Sequence, residues 1–471
     1  MQGHRERVAL AVRALNGLAS SRTGQPLPVG GVSEVQELSA AQRSALRRVS
    51  LHVRAAGRPP AELDESEAFR ALLKTTDVYL EKGRCAVRPY DPEKLRLLKG
   101  GVTPQPSLGI VPPHVRQVLE RPDLYIERHG DEIAVEAHIE PYWDPRLDPR
   151  FARNRGRLLA LLRRLADLGM VTGVRRKKSV VGLFFVAKKG DAIRMIVDGR
   201  QPNQYHRLPP HTTMGSVDAF AALRVEQCWR DRRPWGEAAP QVWGASVDLQ
   251  DGFHQFLNPA LAEWFVFDLA GVRAADLNLT SVYDCSTGAA TPVEPDEVIW
   301  AAYAGMAMGW SWALWICHET LAGVVRPTLQ DQDFWVLDKG LAGRFNGGGV
   351  GAAPYVDNAN FVSDCAAKLN ARLQSTTDAL DALHLKWHER VDGSLDIDML
   401  GITLDGRKCT LRPKRDRLWR LWLGISGALR RRSLAGWQVR VLLGHLVSFM
   451  QLRRPLLSIF GTAMISVRAQ I

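Results

Sequence analysis

The sequence predicts a mixed α+β fold, because strand-type and helical patterns follow one another along the chain. Runs rich in β-branched and aromatic residues, such as 181–187 and 193–197, are bounded by turn-forming residues. Elsewhere leucine recurs every three or four residues, as in 155–168. With 46% hydrophobic and 24% charged residues over 471 positions, the composition is that of a globular protein with room for several domains.

Residues 1–150 carry many Pro and Gly residues and no motif with an evident chemical role. Helical patterns at Ala40–Val53 and Glu65–Lys82 predict a mostly helical N-terminal extension over 1–150. A further helix is predicted from Arg155 to Leu168, with Gly169 as its C-terminal cap.

A β-hairpin with a basic tip is predicted next. Its strands are 181–187 and 193–197, and the connection contains Lys188 and Lys189. The second strand continues into Asp-Gly-Arg-Gln-Pro-Asn at 198–203. Cationic side chains on a stiff ribbon suit a phosphate-bearing ligand, although a solvated hairpin tip is the alternative interpretation.

Two carboxylates stand beside apolar, strand-like runs. Asp248 follows Gly244–Val247, and Asp357 lies in Tyr-Val-Asp-Asn at 355–358. An unpaired charge is costly to bury, so these groups require compensation. Two carboxylates at strand ends form a site for hard divalent cations, and a pair of such cations serves in-line phosphoryl transfer.

The segment 298–317 contains twenty residues without a charge, which is long enough to span a bilayer. Four Trp residues and a Tyr are scattered through it instead of gathering at its ends, and glycines interrupt it. A buried strand, loop and helix is therefore predicted. Gly309-x-Ser311-x-Ala313 approximates the nucleophile elbow of serine hydrolases, but Ala replaces the second Gly.

Residues 340–351 are Gly-rich and are predicted to form an exposed insertion without the Gly-Lys-Ser/Thr of a phosphate loop. Beyond Asn358, leucine spacing over 369–383 predicts an amphipathic helix, and 398–404 predicts a strand.

The net charge of +12 lies in the last seventy residues: residues 401–471 hold 14 Lys and Arg against 2 Asp and Glu, which leaves 48 against 48 before them. Such a segment predicts contact with a polyanion, and a solvated helix face is the alternative. The three arginines at 430–432 are expected to contact phosphates. Six cysteines without a Cys-x-x-Cys pair and no secretory signal predict an intracellular protein, nuclear or cytoplasmic, that is not secreted.

Taken together and in order, these motifs resemble reverse transcriptases of the retrotransposon or retroelement type over about residues 158–460. Asp248-x-x-x-x-Phe253 resembles the first catalytic motif, and Tyr355–Asn358 resembles the Tyr-x-Asp-Asp box. The resemblance implies a right-hand polymerase with an N-terminal extension at 1–150, fingers at 151–243, palm at 244–405 with loop insertions at 270–296 and 331–351, and a basic helical thumb at 406–471.

The resemblance also implies an RNA-directed DNA polymerase that uses two Mg²⁺ ions, dNTPs and an RNA or DNA primer-template. No membrane is expected among its partners. Asp248 and Asp357 would hold the metals, with the Leu249 carbonyl as an extra ligand. The implied roles of the other residues are triphosphate binding (Lys188 or Lys189, and Arg194), an aromatic gate under the sugar (Phe253), a loop beneath the template base and nucleotide (Met308 and Gly309), and protonation of pyrophosphate (Lys386).

Asn358 departs from the family pattern, because it stands where the box has its second Asp. Its amide oxygen can ligate a metal but carries no charge, so metal preference can shift toward Mn²⁺. Three alternatives stay open: a decayed or repurposed nucleic-acid-binding protein, an RNA-templated RNA polymerase and an integral membrane protein.

Overall fold

A computed structural model of the chain describes residues 63–75, 87–97, 102–130, 145–188, 191–225, 241–345, 348–431 and 433–454. These residues belong to two compact units, a larger one within 77–412 and a smaller one that combines residues up to 76 with those from 413 onward. The described part is a mixture of helices and strands, as predicted. The helical pattern at Ala40–Val53 lies outside the described residues.

The elements are numbered in chain order. The helices are α1 (Glu65–Thr75), α2 (Ser107–Ile110), α3 (Pro113–Glu120), α4 (Pro122–Tyr125), α5 (Pro149–Arg153), α6 (Arg155–Asp167), α7 (Arg200–Tyr205), α8 (Val217–Ala221), α9 (Ser311–Val325), α10 (Ala366–Ala382), α11 (Arg415–Leu429) and α12 (Gly436–Met450). The strands are β1 (Val87–Arg88), β2 (Gln105–Pro106), β3 (Val171–Val174), β4 (Val180–Lys188), β5 (Ala192–Asp198), β6 (Arg224–Val225), β7 (Trp243–Leu249), β8 (Phe256–Leu257), β9 (Val266–Phe267), β10 (Val272–Arg273), β11 (Ser281–Asp284), β12 (Ala289–Pro292), β13 (Val298–Tyr303), β14 (Phe334–Trp335), β15 (Arg344–Phe345), β16 (Val350–Tyr355), β17 (Asn358–Ser363), β18 (Trp387–Ser394), β19 (Asp396–Met399), β20 (Ile402–Asp405) and β21 (Thr410–Pro413).

A five-stranded sheet in the order β14-β16-β17-β7-β18 carries the candidate site. Because side chains alternate along a strand, β7 places Ala245, Val247 and Leu249 on one face, where they form a core with residues of α9 and α10. Asp248 therefore lies on the opposite face. The hairpin β19–β20 approaches that face near the start of β7, where Ile397 leaves no room for a side chain at Gly244.

A seven-stranded sheet contains the predicted hairpin. Strands β4 and β5 pair in antiparallel register, with Val186 opposite Arg194, which confirms the hairpin. The same sheet includes β9, β10 and β13. Strands from both sides of residue 243, the predicted boundary between fingers and palm, are hydrogen-bonded to one another in this sheet.

Several helices agree with the sequence patterns. Helix α6 begins after Asn154, whose side chain accepts from the Arg157 N–H, and Gly169 beyond its end has a left-handed φ of +74°. Helix α10 buries four residues of the predicted apolar stripe. The uncharged segment 298–317 forms β13 and the first half of α9, as the strand-loop-helix interpretation predicted. Within the part that the structure describes, no helix combines the length and apolarity needed to cross a membrane.

Three predictions need correction. Residues 270–296 are not a loop, because they contain β10, a short 3₁₀ helix and the β11–β12 hairpin. Residues 398–404 do not form one strand but belong to two, joined at Leu400 and Gly401, which both have positive φ.

The predicted insertion at 331–351 is also part of the fold. Strand β14 lies within it and pairs in parallel with β16, and β15 pairs with β6. The Gly-rich stretch is not fully exposed, because Gly348 and Gly349 are buried. A side chain at Gly349 would meet the Gln332 carbonyl at 2.6 Å, so glycine here serves close backbone packing.

The smaller unit consists of α1, α11 and α12 in its described part. Phe69 and Leu72 of α1 form its core with Leu421, Ala428 and Leu442. Gly424 allows α11 to approach α1 closely, since a side chain there would meet Leu72 at 2.3 Å.

Candidate active site

The hairpin between β16 and β17 brings Asp357 to the end of β7. Tyr355 pairs with Asn358, which leaves Val356 and Asp357 as a two-residue turn. Val356 has a φ of +57°, a conformation that a β-branched residue rarely adopts. The buried His318 of α9 accepts the Val356 N–H at 3.3 Å, so the helix beneath the sheet supports this strained turn.

Sheet register places Asp248 between two polar neighbours. Asn358 is its partner on β17, and His388 is its partner on β18. The Asn358 amide donates to Asp248 Oδ2, and His388 Nε2 donates to Asp248 Oδ1 over 3.0 Å. Strand β18 is irregular directly after His388, where Glu389 has a left-handed φ of +49°. His388 carries no motif signal of its own and was not predicted.

The electrostatic surroundings disfavour the charged forms of both Asp248 and Asp357. Burial is the largest cause that raises the pKa of Asp248, and the charge of Asp357 adds to it, so that the value reaches about 6. The hydrogen bond from His388 acts in the opposite direction. Burial also raises the pKa of Asp357, against the lowering effects of Arg194 and His388. A cation would relieve both carboxylates.

Gly252 packs against Asp357, and Gln255 binds the backbone of Lys386. A side chain at Gly252 would meet the Cβ of Asp357 at 3.1 Å, so the backbone of the first motif lies directly against this carboxylate. Gln255 is fully buried and donates to the carbonyls of Gln250 at 2.7 Å and Lys386 at 2.8 Å, while it accepts the Lys386 N–H at 2.7 Å. The Lys386 side chain is exposed.

The hairpin β4–β5 contributes two cations. Lys188 Nζ lies 2.8 Å from Asp251 Oδ1, in the turn after β7. Arg194 is exposed on β5, and its positive charge acts to lower the pKa of Asp357. Lys189 lies outside the described residues. Phe253 is half-buried in the 3₁₀ helix Gly252–Gln255 and packs against the main core.

Met308 and Gly309 lie in the turn before α9, against the end of β5. A side chain at Gly309 would meet the Val197 carbonyl at 2.5 Å, so the two backbones touch. Asn203 clamps this turn: its amide donates to the Gly309 carbonyl and its oxygen accepts the Ser311 N–H, both over 2.9 Å. The sequence motif that ends at Asn203 thus positions the predicted nucleotide loop.

The predicted metal ligands share this site, but the cluster is small. Asp248 and Leu249 end β7, and the Leu249 N–H donates to the Asp357 carbonyl at 2.8 Å. Among the residues that the structure describes, no three His, Cys, Asp or Glu side chains gather as a metal site would require. Two carboxylates and an amide oxygen are nevertheless hard oxygen donors, which is the set that Mg²⁺ prefers.

The basic C-terminal segment is helical in its described part, and two of its arginines contact other residues of the protein. Arg430 pairs with Glu65 at 2.9 Å, and the Arg431 guanidinium lies 4.4 Å from the centre of the Phe69 ring. Arg432 lies outside the described residues. Two of the three arginines expected to contact phosphates thus have partners within the smaller unit.

Comparisons with known proteins give little further information. No protein-family model matches the chain, and no curated protein sequence matches it. Among solved structures, a foamy viral protease-reverse transcriptase in complex with double-stranded DNA aligns with a TM-score of 0.42 and 11% identity. The alignment covers 93% of this chain and 58% of that one, so the chain spans little more than half of that protein's length. A likeness of this size does not assign a family.

Proposed function

We propose that the chain is a nucleotidyltransferase of the reverse-transcriptase type, an RNA-directed DNA polymerase. The observation that carries the proposal is the meeting of Asp248 and Asp357 at one end of the five-stranded sheet, with the pKa of each raised. Carboxylates held with unfavourable charge near cationic side chains are typical of catalytic sites. Arg194 is a cation whose charge acts on Asp357, and Lys188 pairs with Asp251 in the turn after β7.

The residues present suit divalent cations. Asp248, Asp357, the Leu249 carbonyl and the Asn358 amide oxygen would hold two Mg²⁺ or Mn²⁺ ions, which when bound supply the charge neutralisation that in-line phosphoryl transfer requires. The chain's own cations would bind the triphosphate: Lys188 lies against Asp251 in the turn after β7, and the charge of Arg194 lowers the pKa of Asp357. Lys386 is the candidate for donating a proton to pyrophosphate.

Primer extension by the purified full chain tests the proposal. A primed RNA template is offered with dNTPs or with rNTPs, in Mg²⁺ and in Mn²⁺. We expect extension with dNTPs, and we expect Asp248→Asn and Asp357→Asn each to reduce it by at least about a thousandfold while primer-template binding is retained. Asp378→Asn, which removes an exposed carboxylate from α10, is the matched control. Activity near wild type in either site variant would exclude the two-metal assignment.

Phe253 supplies a separate test of sugar selection. The ring is half-buried on the same turn as Asp251 and Gly252, so it is a candidate for contact with the 2′ position of a bound nucleotide. Phe253→Ala should increase rNTP incorporation relative to dNTP incorporation. Equal selectivity in both proteins would show that Phe253 is not the sugar gate and would remove this argument for a DNA polymerase.

A second candidate is a repurposed polymerase that binds nucleic acid without copying it. The observation in its favour is that Asn358 donates to Asp248, so that a protein donor occupies one oxygen of the first carboxylate. The basic composition of residues 401–471 supports a nucleic-acid partner under either proposal. Salt-dependent binding of primer-template by a chain inactive with every metal and nucleotide would favour this candidate.

A further inference from the structure

The ion pair between Lys188 and Asp251 joins the hairpin to the turn that follows Asp248. The Lys188 Nζ and Asp251 Oδ1 atoms are 2.8 Å apart, and the side chains are 31% and 13% exposed. Both ends are fixed by the fold. Lys188 is paired with Ala192 at the end of β4, and the Asp251 carbonyl accepts the His254 N–H at 2.8 Å.

The backbone conformation of Asp251 indicates that its ion pair with Lys188 is a defined part of the fold and not a chance surface contact. Its φ of +49° is left-handed, a conformation that Asp and Asn tolerate better than most residues. With that backbone the carboxylate meets Lys188, while Gly252 beside it lies against Asp357. Asp251 thus contacts the cation assigned to the triphosphate from a turn whose next residue packs against Asp357.

We propose that Asp251 sets the affinity for the incoming nucleoside triphosphate by competing with it for Lys188. The inference rests on the proposed function. In the free protein the lysine charge is neutralised by a carboxylate of the same chain, and an approaching triphosphate is repelled by that carboxylate. Binding of the nucleotide therefore requires Lys188 to exchange one anionic partner for another. The consequence is weaker binding of triphosphates than the cations alone would give.

A double-mutant cycle with a fluorescent dNTP in Mg²⁺, titrated into the full chain, tests this competition. Asp251→Asn should tighten binding by about three- to thirtyfold, a range typical of a partly buried charge pair. Lys188→Met should weaken binding. In the Lys188→Met background, Asp251→Asn should give no further tightening, because its effect acts through the lysine.

Two further variants serve as a control and as a replacement for the Asn variant. Asp191→Asn removes a carboxylate from the same hairpin, where Asp191 pairs with Lys94 at 2.6 Å, and should leave dNTP binding unchanged. Asp251→Gly suits the left-handed backbone and repeats the test if the Asn variant does not fold.

The outcomes separate the inference from the proposed function. If Asp251→Asn weakens binding, or tightens it equally without Lys188, the competition is refuted although the nucleotide site stands. If the parent binds no dNTP, the proposed function is contradicted and the inference with it. If Lys188→Met leaves binding unchanged, the role proposed for Lys188 in binding the triphosphate is excluded, and the inference is excluded with it.

Discussion

Two carboxylates of the larger unit, the buried Asp333 side chain and the half-buried Asp248, have opposite electrostatic surroundings. The Asp333 side chain is 0% exposed and accepts from Arg372 Nε at 2.7 Å and from the backbone N–H groups of Gln330 and Val350. Burial raises its pKa, but these donors outweigh burial and hold the pKa below the ordinary value. Asp248, 22% exposed, has imidazole and amide donors and a second carboxylate nearby, and its pKa rises to about 6.

This difference separates a carboxylate that stabilises the fold from one available to a ligand. Asp333 fixes the start of β16 because the Val350 N–H and the Arg372 guanidinium both point at it. A guanidinium partner within the chain leaves no reason to recruit a cation from outside. Asp248 has no such partner among its described contacts, and a divalent ion would remove its disfavoured charge.

The largest expected effect is on stability at Asp333. Arg372→Met removes the guanidinium and leaves the buried carboxylate without its charged partner, which should lower the free energy of unfolding by about 3–5 kcal/mol. Urea unfolding of the larger unit, followed by tryptophan fluorescence, measures the change. The double variant Asp333→Asn/Arg372→Met should recover part of the loss, and a single variant as stable as wild type would contradict the comparison.

The pH dependence of stability should differ in sign between the two carboxylates. Because the pKa of Asp248 is raised from 3.8 to about 6 in the folded state, its contribution to stability is present below pH 3.8 and is lost as pH rises through about 6. Without divalent ions, Asp248→Asn should therefore be more stable than wild type above that pH, by up to roughly 2–3 kcal/mol. The measurement is thermal unfolding in EDTA across the pH range.

Asp333 should show the reverse dependence. Its pKa is lowered in the folded state, so its stabilisation is present above the unfolded value and is lost as pH falls through the folded-state pKa. Wild type and Asp333→Asn should thus converge in acid. Convergence at neutral pH instead would show that Arg372 contributes little.

A smaller effect is expected at Asn358. Asn358→Asp replaces the amide donor to Asp248 with a carboxylate, which adds a charge for a cation to neutralise. The extension rate should rise more in Mg²⁺ than in Mn²⁺, by about tenfold or roughly 1.4 kcal/mol. Metal titrations of the extension rate measure this, and an unchanged Mg²⁺ curve would place Asn358 outside the metal site.

The smallest effect should come from an exposed pair. Lys94 and Asp191 are 2.6 Å apart, with side chains 43% and 84% exposed, so water screens them. Lys94→Ala should leave the urea midpoint unchanged within measurement error. A clear loss of stability would show that proximity alone, and not burial, sets the value of these pairs.

The sequence predicted the elements whose signals are local. The leucine repeat gave α6, the β-rich runs gave β4 and β5, and the uncharged segment gave β13 and α9, because each pattern is complete within its own element. The residues predicted as metal ligands, Asp248 and Asp357, also lie close together at the end of β7.

What the sequence did not show depends on pairing between distant segments. His388 meets Asp248 through the register of β18 on β7, and Lys188 meets Asp251 through the placement of the hairpin. Residues 270–296 looked like a loop because their strands are only two to four residues long. The 398–404 run concealed a turn, since Leu400 and Gly401 interrupt an otherwise regular apolar alternation.

The irregularity in β18 bears on how related sequences should be aligned. His388 is opposite Asp248, Val391 is opposite Ser246 and Ser394 is opposite Gly244, so at two successive places three steps along β18 match two along β7. Two residues of β18 are therefore surplus, one in each interval, and a relative could lose either of them without changing these pairings. Alignments should place gaps after the positions of His388 and Val391 and count from the Trp387 side. Counting back from the β19 end instead would assign the partner of Asp248 to the wrong residue.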